Sequence, residues 1–229
     1  MKQFFWSLII ICTIVSCKLS NSNPTGEANK ELATLFSNYY KERLELFPLE
    51  STQNGDSILN DKMYIDFTES YRNKLKAFYS KPLAYVKSFD REYLNANDKI
   101  SFDIFKREME MSIEGLSFHD NYIPFQQFWG LPLTMGQLGS GDGNQPFKTI
   151  KDYNDWLSRA TVFGAWADSA IVYFRKGIVA NHVLPAALVQ KMIPQMEAMV
   201  VADATKSLFY APINKVPFDS DKNKLALQY

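Results

Sequence analysis

The chain has 229 residues, 25 basic and 25 acidic side chains, two histidines and a formal net charge of zero. That balance excludes a nucleic-acid binder of the usual kind, which needs a basic excess gathered on one face. Hydrophobic residues make up 46% and aromatics 14%, enough for a core, and the length suits one domain or two small ones.

Lys2 gives a short positive start, and Phe4 to Val15 are apolar apart from Ser7 and Thr13. Such a run suits a signal-peptide core and is short for a membrane span. It closes on Ile14-Val15-Ser16-Cys17, after which the chain turns polar. The four residues resemble a bacterial lipobox, in which the Cys thiol is acylated and the bond before it is cut. Residues 1–16 are thus expected to be a signal peptide. Cys17 is expected to be the lipid attachment site, and 17–29, rich in Ser, Asn, Pro and Gly, a flexible tether. A plain secretory signal with an incidental Cys, or an uncleaved anchor, is the alternative. Removing 1–16 takes away Lys2 and no acid, leaving 24 basic against 25 acidic residues. The only cysteines are Cys12 and Cys17, so no disulfide or cysteine metal site is expected beyond the signal.

The rest reads as mostly α. Leu32, Leu35, Phe36, Tyr39, Tyr40 and Phe47 trace one face of a helix from about Ala28 to Phe47, stopped by Pro48. Residues 48–66 hold Asn54-Gly55-Asp56 and no clear period, which predicts a loop. A second helix starts near Thr68 with Tyr71, Leu75, Phe78, Pro82, Val86 and Phe89 at helical spacing, and Pro82 should kink or divide it. Asn97 or Asp98 can cap a third, with Phe102, Phe105, Met109, Ile113 and Leu116 on its buried face; Gly115 sits near its end.

Residues 117–146 carry three prolines and five glycines and no apolar period, so they predict a long loop, often the mark of a functional segment. Helix resumes after Thr149, where Thr149-Ile150-Lys151-Asp152 is a capping-box variant. Tyr153, Trp156 and Leu157 begin its apolar face. Phe163, Trp166, Ala170, Ile171 and Phe174 belong to its continuation or to a following helix, ending near Gly177. Pro185 suits the first position of another helix, which Pro194 should bend. Phe209-Tyr210-Ala211-Pro212 and Pro217 read as extended loop, and Asn223 to Tyr229 as the opening of a further helix.

Chemical constellations are sparse. A zinc peptidase needs two His one helical turn apart with a Glu beside them. Here His119 and His182 stand alone; Asp120 can orient the first, and the second can cap carbonyls at a helix end. There is no Gly-x-Ser-x-Gly elbow. Gly139-Ser140-Gly141-Asp142-Gly143 lacks the Gly-Lys-Ser/Thr of a phosphate loop and reads as flexible. Asp142 by itself is no calcium loop. Glu108, Glu110 and Glu114, and Asp152 with Asp155, read as solvated faces. Phe125, Phe128 and Trp129 either line a substrate cleft or pack the loop, the second being favoured. Gln126, Gln127, Trp129, Gln137 and Asp142 are the residues a cleft loop would present.

Several segments together resemble the N-terminal half of a bacterial family known as domain of unknown function 885. They are Tyr39-Tyr40-Lys41-Glu42-Arg43-Leu44-Glu45-Leu46-Phe47-Pro48-Leu49-Glu50-Ser51 with Asn54-Gly55-Asp56, then Ser101-Phe102-Asp103-Ile104-Phe105-Lys106-Arg107-Glu108-Met109-Glu110. Gln145-Pro146-Phe147-Lys148-Thr149 follows, with Asp152-Tyr153 and Trp156-Leu157, and after it Arg175-Lys176-Gly177-Ile178 with Leu184-Pro185, and Phe209-Tyr210-Ala211-Pro212. The resemblance implies an irregular helical array like the N-terminal part of helical zinc peptidases, with residues 30–229 walling the substrate cleft. It implies a metallopeptidase for the complete protein, with zinc held by a His-Glu-x-x-His helix in a C-terminal half. That motif is absent from this sequence, so no catalytic residue carries over. The unfinished look of Asn223 to Tyr229 favours a truncated product over a short relative. The expectation is a lipid-anchored protein of the bacterial envelope, inactive by itself, with a peptide substrate possible for the complete protein. The alternative is a complete, non-enzymatic helical lipoprotein serving as a binding or scaffold module.

Overall fold

Asn29 opens the first helix by accepting a hydrogen bond from the Leu32 N–H at 2.9 Å, while its own N–H donates to Asp98 at 2.6 Å. The structure, a computed structural model, describes residues 26–216. The expected signal peptide, Cys17, the tether up to residue 25, Pro217 and the stretch Asn223 to Tyr229 lie outside the described residues. What is described is mostly helical and has no strand. No described helix is long and apolar enough to cross a membrane.

Helix α1 spans Lys30–Leu46 and buries Leu32 and Leu35. Tyr40 is half exposed and falls off the expected face. Pro48 does not open a loop. It is the first residue of a short helix, α2 (Pro48–Gln53), because a proline at that position loses no hydrogen bond and has its φ preset. Helix α3 (Glu69–Val86) starts at the Thr68 cap and runs through Pro82 undivided. Helix α4 (Ala96–Gly115) is capped by Asn95, two or three residues earlier than the spacing suggested. These helices enclose a first core of Leu32, Leu35, Tyr71, Leu75, Phe78, Phe102, Phe105 and Met109. Tyr39 stacks on Phe78 at 4.9 Å and meets Phe105 edge-on at 5.0 Å. Each fully buried side chain of this size contributes roughly 1.5–3 kcal/mol.

Asn95 does two jobs: its carbonyl oxygen accepts from the Asp98 N–H at 2.8 Å, and its amide donates to the Glu27 carbonyl at 2.8 Å. Asn95→Ala is expected to lower stability by about 1 kcal/mol, read as a lowered urea midpoint with unchanged slope.

The expected loop 117–146 contains a 3₁₀ turn at Asp120–Tyr122 and a helix, α5 (Leu131–Gly139). Leu131, Met135 and Leu138 keep helical spacing there, but Pro132, Gly136 and Gly139 disguise it. The proline sits in the first turn, where its missing N–H does no harm. Helix α6 (Ile150–Val179) is one continuous 30-residue helix, about 45 Å long. Its capping box closes as the sequence suggested, with Thr149 and Asp152 exchanging side-chain bonds to backbone N–H groups.

Helix α6 ends in a Schellman turn: Asn181 takes φ 55°, and the His182 N–H donates to the Gly177 carbonyl at 2.8 Å. The cap at His182 is therefore its backbone, not its imidazole. Helix α7 (Ala186–Glu197) has Pro185 as its cap, one place before the expected first position. Phe209 to Pro212 are not extended; they form a 3₁₀ turn, Leu208–Tyr210, and a short helix, α8 (Ala211–Asn214).

A second core gathers Met63, Phe67, Met135, Leu138, Trp156, Trp166, Ala170 and Tyr173, drawn from before α3, from α5 and from α6. The Glu69 N–H donates to the Tyr173 hydroxyl at 2.9 Å and joins the two cores.

Candidate functional site

The loop chemistry begins where α4 ends. Arg72 reaches from α3 to bond Asp120 at 2.8 Å and the carbonyls of Leu116 and Phe118 at 3.0 and 2.7 Å. Asn121, buried beside it, donates to the Phe67 carbonyl and to Glu69. His119 stacks on Tyr122 at 4.9 Å, and His182 meets the same ring at 6.4 Å. Asp120 therefore serves Arg72 and its own turn, and the two histidines act as ring partners of Tyr122. Among the described residues, no group of three His, Cys, Asp or Glu side chains is placed to hold a metal.

Residues 123–130 form a closed turn. The Gln126 N–H donates to the Trp129 carbonyl at 3.1 Å, and the Phe128 N–H donates to the Gln126 side chain at 2.8 Å. Phe128 and Trp129 are pushed into solvent at 71% and 63% exposure. Phe125 turns the other way and packs on Phe174 at 5.2 Å and Trp166 at 6.0 Å. It forms one wall of an apolar cavity of about 360 Å³, shared with Phe163, Trp166, Phe174, Met196 and Met199. The Gln127 carbonyl accepts from Gln195 of α7 at 3.2 Å.

The structure thus brings Gln126, Gln127 and Trp129 together before the start of α5. Gln137 lies exposed on α5, and Asp142 lies past its end, where it meets Lys215 at 3.3 Å. Glu108 and Glu114 are exposed, and Glu110 pairs with Lys87 at 3.0 Å.

Arg159 is fully buried, on the stripe of α6 that also buries Trp156 and Trp166. Its guanidinium donates to the carbonyls of Lys62 (3.0 Å), Leu59 (2.9 Å) and Pro48 (3.3 Å), to the Thr52 hydroxyl (2.7 Å) and to the Gln145 side-chain oxygen (2.5 Å). Every partner is neutral. Burial pushes its pKa down to about 10, which still leaves it charged at neutral pH. Thr52 in turn donates to Asn60 at 2.7 Å. Asp155, one turn before Arg159, holds Lys151 at 2.5 Å.

Arg159, Thr52, Asn60 and Gln145 were not singled out from the sequence. The signal was available: counted from Trp156 towards Trp166, Arg159 falls on the buried stripe of α6. Two of the segments that carry the family resemblance, 39–51 and 145–149, meet on this one side chain through Pro48 and Gln145.

A mostly helical fold whose two larger apolar cores are accompanied by a buried arginine is the class the described residues define. Residues 48–229 match the family described as "Bacterial protein of unknown function (DUF885)", and the chain belongs to that family. No curated protein and no solved structure matches it.

Proposed function

We propose that the described residues form one wall of the substrate cleft in an envelope lipoprotein related to zinc-dependent peptidases, anchored through an acylated Cys17. In this reading the chain is not catalytic by itself. The zinc and its His-Glu-x-x-His helix belong to a further part of the whole protein, and a peptide is the substrate class. The observation that carries the reading is the apolar surface along α6 and α7. Ile171, Ile178, Val179, Val183, Ile193 and Val200 are all at least half exposed, and α7 buries only Met192. Ile171 and Val200 border the same apolar cavity as Phe125, and exposed apolar surface beside such a cavity supports an interaction site. The resemblance of the sequence segments to helical peptidases supports one kind of partner for this surface, the catalytic part of the same protein.

The test is to isolate the native protein from bacterial membranes with an antibody against residues 30–110. Its mass, zinc content and peptide hydrolysis are then measured. A band well above 26.3 kDa, with bound zinc and chelator-sensitive hydrolysis, is expected. A band at the mass of residues 17–229, zinc-free and inactive, overturns the reading in favour of a non-enzymatic lipoprotein module.

Residues 18–229 expressed alone are expected to be poorly soluble. The double change Ile178→Lys and Ile193→Lys should raise the monomer fraction in size-exclusion chromatography without lowering the melting temperature, because both side chains stand in water. A monodisperse, cooperatively melting wild type would remove the need for a covering part.

A further inference from the structure

The Gly139 to Gly143 stretch, which lacks the lysine of a phosphate loop, nevertheless borders a cavity of about 340 Å³ between the start of α6 and α8. Gly141, Gly143, Gln145, Phe147, Lys148 and Lys215 stand in its wall. Gln145 is 2% exposed. Its oxygen is taken by Arg159, but its Nε2 has no hydrogen-bond partner. A buried amide donor left unpaired is costly, and an acceptor arriving from outside would relieve it.

The charges around the cavity divide unevenly. Asp142 holds Lys215, Asp155 holds Lys151, and Asp152 is occupied by the N–H groups of Lys148 and Thr149. Among the described residues here, two cations make no direct ion pair: the Lys148 ammonium, which is exposed, and the Arg159 guanidinium, bonded to Gln145 and felt only at longer range by Asp155 and Asp61. The Asp142–Lys215 pair is itself mostly in water, at 76% and 66% exposure, so Lys215 is readily shared with an incoming group.

We propose that this cavity is an oxyanion site. It takes a carboxylate or phosphate group, with Gln145 Nε2 as the deep donor, Lys148 and Lys215 as the outer cations and Arg159 as the fixed positive charge behind them. The proposal does not depend on the peptidase reading, since it concerns only residues of this chain.

Calorimetric titration of the full chain in detergent tests it with acetate, inorganic phosphate, N-acetyl-dialanine and the carboxamide of that peptide. The three anions are expected to bind with millimolar dissociation constants, and the carboxamide not to bind. Lys148→Ala with Lys215→Ala should weaken binding about tenfold or more. Gln145→Glu should abolish it while keeping or raising the melting temperature, because the new carboxylate still accepts from Arg159. Tighter binding of the peptide acid than of acetate assigns the site to peptide ends, and tighter binding of phosphate assigns it to phosphate groups. Equal binding of acid and amide, or an affinity unchanged in both variants, overturns the proposal.

Discussion

Arg159→Leu is expected to destabilise the fold by about 3–5 kcal/mol, the range seen when one member of a buried charged network is removed. Leucine fills part of the volume but donates nothing. The carbonyls of Pro48, Leu59 and Lys62 lose a donor, and Gln145, already unpaired at Nε2, loses its remaining partner. Each buried group so stranded costs roughly 1–3 kcal/mol, though other bonds take up part of it. For a chain of this size the melting temperature should fall by roughly 10–15 °C. Arg159→Lys keeps the charge and one or two of the bonds, so it should fall between. The contrasting change is Arg91→Ala, which removes a surface pair with Asp103 and should leave the midpoint where it is. A small effect of Arg159→Leu would mean that the 48–62 stretch is held by its apolar contacts alone.

Gly130→Ala is expected to cost about 2–5 kcal/mol, from two separate causes. Gly130 has φ 145° and ψ 164°, a region that side chains rarely adopt, worth roughly 1–3 kcal/mol of strain. A Cβ added there would stand 2.3 Å from the Cβ and 3.1 Å from the Cα of Phe125, atoms too close to the main chain to swing away. Relief requires the 123–130 turn to move, and Phe125 with it, so the apolar cavity beside Trp166 should change shape as well. Intrinsic tryptophan fluorescence and a denaturant curve read both effects. Gly164→Ala is the control. It meets nothing within 4 Å in the middle of α6, and should be neutral or slightly stabilising.

Helices α1, α3, α4 and α6 were legible in the sequence because their apolar residues recur at helical spacing and capping residues sit near their starts. Tyr71, Leu75, Phe78 and Val86 are all buried as that pattern required. Helices α2, α5 and α8 were hidden by proline and glycine, which punctuate a chain whether it turns or begins a helix. Pro48, Pro132 and Pro212 all occupy first-turn positions.

The candidate site was legible only in part. The turn holding Gln126, Gln127 and Trp129 stood out by composition, but its separation from Asp142 depends on α5 lying between them. Arg159 sits on the apolar stripe of α6, but an arginine ordinarily reads as solvent-facing, which masks that position. Its acceptors are mostly backbone carbonyls, which carry no residue signature.

The reach of Arg159 bears on how the chain assembles. Its bonds to the 48–62 stretch span 97 to 111 residues. The first core, by contrast, is complete within residues 32–116. Contacts that close large loops form late, because the entropy of closure is lost before they return anything. As the chain emerges from the N-terminus onward, α1, α3 and α4 can pack first. The intervening 48–62 stretch must then wait for α6 to arrive. In pulsed hydrogen exchange during refolding, amides of α4 should therefore gain protection before those of α2, although α2 comes earlier in the chain.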